Sequence, residues 1–222
     1  MRDFEFYDFA GVLVPGTLVL TGIYFASPAL RDLLPIKDMS AGAAGFLAVI
    51  AYATGQLVQA VGNGVEWVWW RLFGGMPTKW PRCDPPKLLS PSETAQLAER
   101  ISQRLGFPRT DRIADLSTED WNAAVGQMAT HVRSRRLSGH LDVFDGVYGL
   151  TRGVVAALMI DIALLLAGGG VGRWELELML VAALAAALFR MHRFGKHYAR
   201  ELFRQFLLTG ETVREEQRER IG

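Results

Sequence analysis

Apolar residues in this chain are gathered into blocks, and that segregation constrains the fold more than any motif. Half of the 222 residues are hydrophobic, while charge collects between the blocks and near the C-terminus. A soluble domain would spread its apolar residues over periodic faces, so blockwise composition points to a membrane protein. The formal net charge of +1 conceals strong local imbalance and says little about partners.

A spanning helix needs about 20 mostly apolar residues to cross roughly 30 Å of hydrocarbon. Four blocks are candidates. The first runs from Phe9 to Phe25 and contains Pro15-Gly16, which predicts a kink or wide turn. Asp3, Glu5 and Asp8 against Arg2 give it the wrong flank for a signal peptide, so it reads as a retained helix. The second covers Ala41–Val61 and continues helically through Trp70. The third covers Val147–Ala167 and ends at Gly168-Gly169-Gly170. The fourth, Leu176–Phe189, is short, with Glu175 and Glu177 at its outer end. Trp174 at one interface and a snorkelling Arg190 at the other complete it.

Lysine and arginine set the orientation. Residues 71–145 carry eleven of them and the tail from residue 190 carries eight, whereas the other two connections hold only Arg31, Lys37 and Arg173. The positive-inside rule then makes the central segment and the tail cytoplasmic, and an even number of spans puts the N-terminus inside as well. Trp67, Trp69 and Trp70 suit the inner aromatic belt. The expected fold is all-α: an integral protein of a bacterial inner membrane, with four transmembrane helices, a small helical cytoplasmic insertion and a cytoplasmic C-terminal helix. Its expected segments are residues 1–75, 76–145, 146–190 and 191–222.

Within the insertion, residues 76–91 hold five prolines and should be extended and held against something. Ser90-Pro91-Ser92-Glu93 then reads as a capping box with proline at the first helical position, predicting a helix to Leu105 that stops at Gly106. Ser117-Thr118-Glu119-Asp120 predicts a second helix through Trp121, Val125, Met128 and Val132, ending near Ser138-Gly139. About 65 residues make a weak independent domain, so the insertion is expected to pack on the membrane helices or on neighbouring subunits.

Past the fourth block, Arg190, Arg193, His197, Arg200 and Arg204 recur at intervals of 3, 4, 3 and 4, which puts them on one helix face. Met191, Tyr198, Leu202 and Phe206 occupy another. Such a basic stem fits ordinary positive-inside topology, and it also fits contact with anionic lipid or phosphate.

Polar residues inside the second block show the same regularity. Tyr52, Gln56, Gln59, Asn63 and Glu66 recur at 4, 3, 4 and 3, with Gly55 and Gly62 alongside. Lipid cannot satisfy these groups, so the face must meet protein or water, as helix-to-helix contacts or as a pore lining. Asp161 lies deep in the third block, where an ionised carboxylate costs about 2.5–3.5 kcal/mol on the insertion scale. Its depth matches Tyr52 on an antiparallel neighbour, from which it could accept a hydrogen bond; otherwise it holds a proton. Arg152, nine residues earlier, points nearly opposite, so the two do not pair within their own helix.

No residues specify a catalytic site. The chain has a single cysteine, Cys83, and four histidines without zinc-ligand spacing, so neither metal nor cofactor is expected. His192, His197 and Glu201 are close in sequence, but no companion motif supplies a nucleophile–base pair, and a membrane-embedded lipid enzyme ranks last. Nothing points to nucleic acid.

Three stretches resemble an uncharacterised group of small bacterial four-span membrane proteins, some of them near phage-defence genes. They are Tyr7-Asp8-Phe9-Ala10-Gly11 with Pro15-Gly16, then residues 55–63 (GQLVQAVGN), then residues 198–206 (YARELFRQF). The resemblance implies a role in bacterial immunity and assigns no mechanism to any residue. The expected function is a self-assembling membrane protein, either a pore-forming effector or a sensor, with the bilayer, further copies of itself and a cytoplasmic protein as partners. The alternative is a small, dimeric, proton-coupled carrier using Asp161 and Gln56, although no inverted repeat is visible.

Overall fold

The structure, a computed structural model, describes residues 6–33, 40–110, 112–134, 139–167 and 174–219, and among these every regular element is helical. Seven α-helices follow one another: α1 (Phe6–Ala26), α2 (Pro28–Leu33), α3 (Ala41–Leu72), α4 (Pro91–Leu105), α5 (Thr118–Ser134), α6 (Gly139–Ala167) and α7 (Trp174–Glu219). Short 3-10 turns occupy Pro77–Arg82 and Ile113–Asp115. The triple glycine expected to end the third block lies outside the described residues, as do residues 135–138, where the helix of the insertion was expected to end.

Among the described residues, three helices are long and apolar enough to cross a membrane. Their spans are Phe9–Ala26, Ala41–Arg82 and Leu141–Ala167. These are the lengths and compositions of a membrane protein. Along α3, the large apolar residues Phe46, Val49, Leu57, Val68 and Leu72 are all exposed, apolar surface of the kind that meets lipid or another protein. The fourth block forms the beginning of α7, whose 46 residues continue without a break through the basic stem.

In the first block the wide turn offered by Pro15-Gly16 is not formed. Pro15 does not divide it: α1 is helical throughout from Phe6 to Ala26. The reason lies in its packing on α3. A Cβ on Gly16 would run into the Ala51 carbonyl and the Gly55 amide, and one on Gly55 would meet the Val12 carbonyl. The two backbones therefore touch where the helices cross, and that close approach supports the helix past its proline.

The chain divides into two compact units. The first comprises Met1–Leu72 with Gly146–Arg193, and the second Phe73–Asp145 with Phe194–Gly222. In the first, Val19, Val58, Ala156 and Ala157 are buried together, and a second cluster joins Val155 and Leu158 to Ala187 and Met191.

The second unit has a core to which the insertion and the tail both contribute, so the insertion packs on α7, the helix that begins as the fourth apolar block. Leu97, Ala98 and Ile101 of α4, Trp121, Ala124, Met128 and Val132 of α5, and Leu141 of α6 close around Ala199, Leu202, Phe203 and Phe206 of α7. The tail thus supplies the third wall that 65 residues alone lacked. Ser90 and Glu93 form the expected capping box, and α4 stops at a left-handed Gly106. The Ser117 hydroxyl accepts from the Asp120 amide at the start of α5. The proline-rich segment is held: Pro77–Arg82 forms a 3-10 turn rather than extended chain, while Cys83 and Ser90 beyond it are extended. Trp121 Nε1 donates to the Thr78 carbonyl at 3.1 Å, and Arg82 Nη2 donates to the Leu116 carbonyl at 2.6 Å.

Candidate functional site: a polar cluster among the apolar helices

The polar residues of α3 do not act as one face. Gln59 and Glu66 are half-buried and face α1 and α6, whereas Gln56 and Asn63 are exposed. The geometry explains the split. Each pair is seven residues apart and so nearly aligned, but the pairs are three residues out of step, which rotates one about 60° from the other.

Gln59 begins a continuous chain of hydrogen bonds. Its Nε2 donates to the Gly11 carbonyl at 2.6 Å and lies 3.3 Å from the Gly149 carbonyl. Gly11 sits four residues before Pro15, which has no N–H to offer, so its carbonyl lacks the usual helical donor. Gln59 replaces that donor. Position 153 has no room for a side chain: a Cβ there would lie 2.7 Å from Gln59 Nε2 and 2.9 Å from Pro15 Cγ.

Gln59 Oε1 in turn accepts from Arg152 Nη2 at 3.1 Å, and Arg152 Nη1 donates to Glu66 Oε2 at 2.6 Å. The other Glu66 oxygen accepts from the Tyr148 hydroxyl at 2.8 Å, and Tyr148 accepts from Trp70 Nε1 at 2.7 Å. Tyr148 and Arg152 are four apart on α6, so one face of that helix delivers both donors to the same carboxylate. The Glu66–Arg152 side chains are only 13% and 23% exposed, so the charges are largely withdrawn from solvent. Gln59 and Tyr148 add hydrogen bonds to the ionised pair, while Arg152 Nε is buried without a partner. Beside it, Trp70 stacks on His192 with ring centroids 5.0 Å apart, and Trp69 Nε1 points to His192 Nδ1 at 3.4 Å.

Sequence reasoning missed Arg152, Tyr148 and Trp70. Two signals could have revealed them: the carbonyl that Pro15 must leave without a donor, and an arginine and a tyrosine one turn apart in an apolar helix.

Asp161 takes no part in this cluster. Its carboxylate lies against Gly22 of α1, where a Cβ would displace it, and Oδ1 is buried without a hydrogen-bond partner. The expected bond from Tyr52 is not made. Tyr52 instead stacks on Phe9, with ring centroids 6.0 Å apart.

The basic stem is exposed at Arg190 and Arg193 in the first unit and at Arg200 and Arg204 in the second. His197 departs from that face, since its ring stacks on Phe144 at 5.9 Å. Met191, Leu202 and Phe206 are buried and Tyr198 is half-buried, as expected for the apolar side. Glu201 accepts from Gln205. No group of three His, Cys, Asp or Glu among the described residues is placed to hold a metal ion. Comparison with known proteins finds no matching family model, curated protein or solved structure.

Proposed function

We propose that this chain is a multi-pass protein of a bacterial inner membrane that assembles there and acts as a pore-forming effector or a membrane sensor. In this reading the start of α7 is a fourth span, with Trp174 and Arg190 completing its short apolar stretch at the two interfaces. The asymmetry of lysine and arginine supports cytoplasmic placement of both termini and of the two basic segments. The resemblance of three stretches to small membrane proteins near phage-defence genes supports a role in bacterial immunity.

The observation that carries an active rather than a purely structural role is Asp161. Glu66 and Arg152 neutralise each other's charge, so helix packing accounts for the pair even though Arg152 Nε lacks a partner. Asp161 keeps a buried oxygen with no partner in a helix apolar enough to cross a membrane. An acid left in that state is stabilised by a rearrangement that gives it water or a donor, which is the property a triggered pore or sensor needs.

The test is reconstitution in liposomes, reading ionic conductance and dye release for the natural chain and for Asp161→Asn. Permeability above protein-free vesicles, reduced about tenfold or more by the substitution, is the expected result; a tenfold change corresponds to about 1.4 kcal/mol. Vesicles that stay equally tight with both proteins, under acidification and under an applied potential, would remove the pore reading.

A further inference from the structure

The two amides of α3 that the molecule leaves unused identify a surface for a partner. Gln56 and Asn63 are exposed, and neither forms a hydrogen bond within the described residues. Both belong to a helix apolar enough to cross a membrane, and lipid tails offer no donor or acceptor. Ala60 lies between them on the same exposed face, and nothing comes within 4 Å of where a side chain on Gly64 would begin. Another helix backbone can therefore approach closely enough for short amides to reach across.

We propose that two copies of this chain pair through this face of α3, Gln56 opposite Gln56 and Asn63 opposite Asn63. Copies inserted in the same orientation carry each residue at the same depth, so a two-fold axis along the membrane normal sets every amide against its own equivalent. A primary amide is both donor and acceptor, so it complements itself, as a carboxylate or an ammonium would not. Two bonded levels, seven residues or about 10 Å apart along the helix, fix the register of the pair. Gln59 and Glu66, one side further round, are already used within each copy, so they do not compete for this contact. The proposal rests on the membrane reading above and names the contact through which that assembly begins.

The test uses the full chain with Cys83→Ser, carrying either Ala60→Cys or Val61→Cys, oxidised in native membranes. Val61 is also exposed and lies at nearly the same depth, but it faces about 100° away. Ala60→Cys is expected to yield a disulfide dimer and Val61→Cys essentially none. The Gln56→Leu/Asn63→Leu chain should pair about tenfold more weakly on dilution in lipid, measured by single-molecule counting of labelled copies. Cross-linking at Val61 but not at Ala60, in a chain that still pairs, overturns this face while leaving assembly intact. A monomer at every lipid dilution overturns both. An Ala60→Cys adduct with a different protein, or pairing unaffected by the double leucine change, also overturns the proposal.

Discussion

The side-chain amide of Gln59 stands where the backbone N–H of Pro15 would have been, 2.6 Å from the Gly11 carbonyl. This makes the two positions conditional on each other. Gln59→Leu leaves that carbonyl without its donor, at about 1–3 kcal/mol for a buried acceptor. In Pro15→Ala the backbone supplies the bond, and the same leucine change should cost measurably less. A double-mutant cycle on the chain in detergent, unfolded by heat or SDS, reads the difference. Equal losses in both backgrounds would mean that Gln59 acts through its other partners, Arg152 and the Gly149 carbonyl.

Glu66 and Arg152 should be worth less as a pair than either is once left alone. Replacing Glu66 by Leu strands a guanidinium among apolar helices, at about 3–5 kcal/mol, whereas Glu66→Leu with Arg152→Met should recover most of that loss. The same unfolding assay decides. A double variant as unstable as the worse single one would show that the pair contributes more than charge compensation.

Gly153→Ala probes the same place sterically. Its methyl group would need the space of Gln59 Nε2, which can swing away, and would press on the Pro15 ring, which cannot. A loss of about 1–3 kcal/mol is expected from overpacking. Pro15→Ala should relieve part of it, and stability unaffected by Gly153→Ala would show that the helices separate freely there.

The cap of α4 carries a pH dependence with a definite sign. Hydrogen bonds from the Ser90 backbone and then from its hydroxyl hold the Glu93 carboxyl below its ordinary range. Its folded value is the lower one, so its contribution is complete above the unfolded value of about 4.3 and is lost as the pH falls through the folded value. Glu93→Gln should therefore weaken protection of the first turn of α4 at neutral pH. The two chains should converge in acid, followed by hydrogen exchange at that turn. A gap that stays constant down to about pH 3 would contradict this.

Trp121 should anchor the second unit. It is fully buried, tilted against Phe203 with centroids 5.9 Å apart, and bonded to the Thr78 carbonyl. Trp121→Ala should cost about 3–5 kcal/mol, and Trp121→Phe less, because it keeps most of the volume and gives up the bond. Chemical denaturation followed by far-UV circular dichroism measures both.

Legibility followed sequence distance. The cap at Ser90 and Glu93 is a three-residue event and could be read directly, as could the apolar blocks that became α1, α3 and α6. The periodicity of Met191, Tyr198, Leu202 and Phe206 correctly separated the apolar side of α7, but nothing local said that this side would close the core around Trp121. The polar stripe of α3 was visible as a stripe and misread as one face, because spacings of 3 and 4 hide a 60° rotation between Gln56–Asn63 and Gln59–Glu66. Arg152 was judged only against Asp161 in its own helix, and its true partner is 86 residues earlier. The bond expected between Tyr52 and Asp161 came from matching depth alone, which leaves the rotation of each helix undetermined.

That interval of 86 residues is also an interval of time. For a chain inserted as it is made, at about 5–20 residues per second, α3 arrives roughly 4–17 s before the arginine that neutralises Glu66. During that wait the acid, six residues from the end of α3, has no guanidinium to pair with. The order of synthesis thus leaves Glu66 without its partner until α6 is made, so the two charges close on each other only once that helix has arrived, with α7 still to follow.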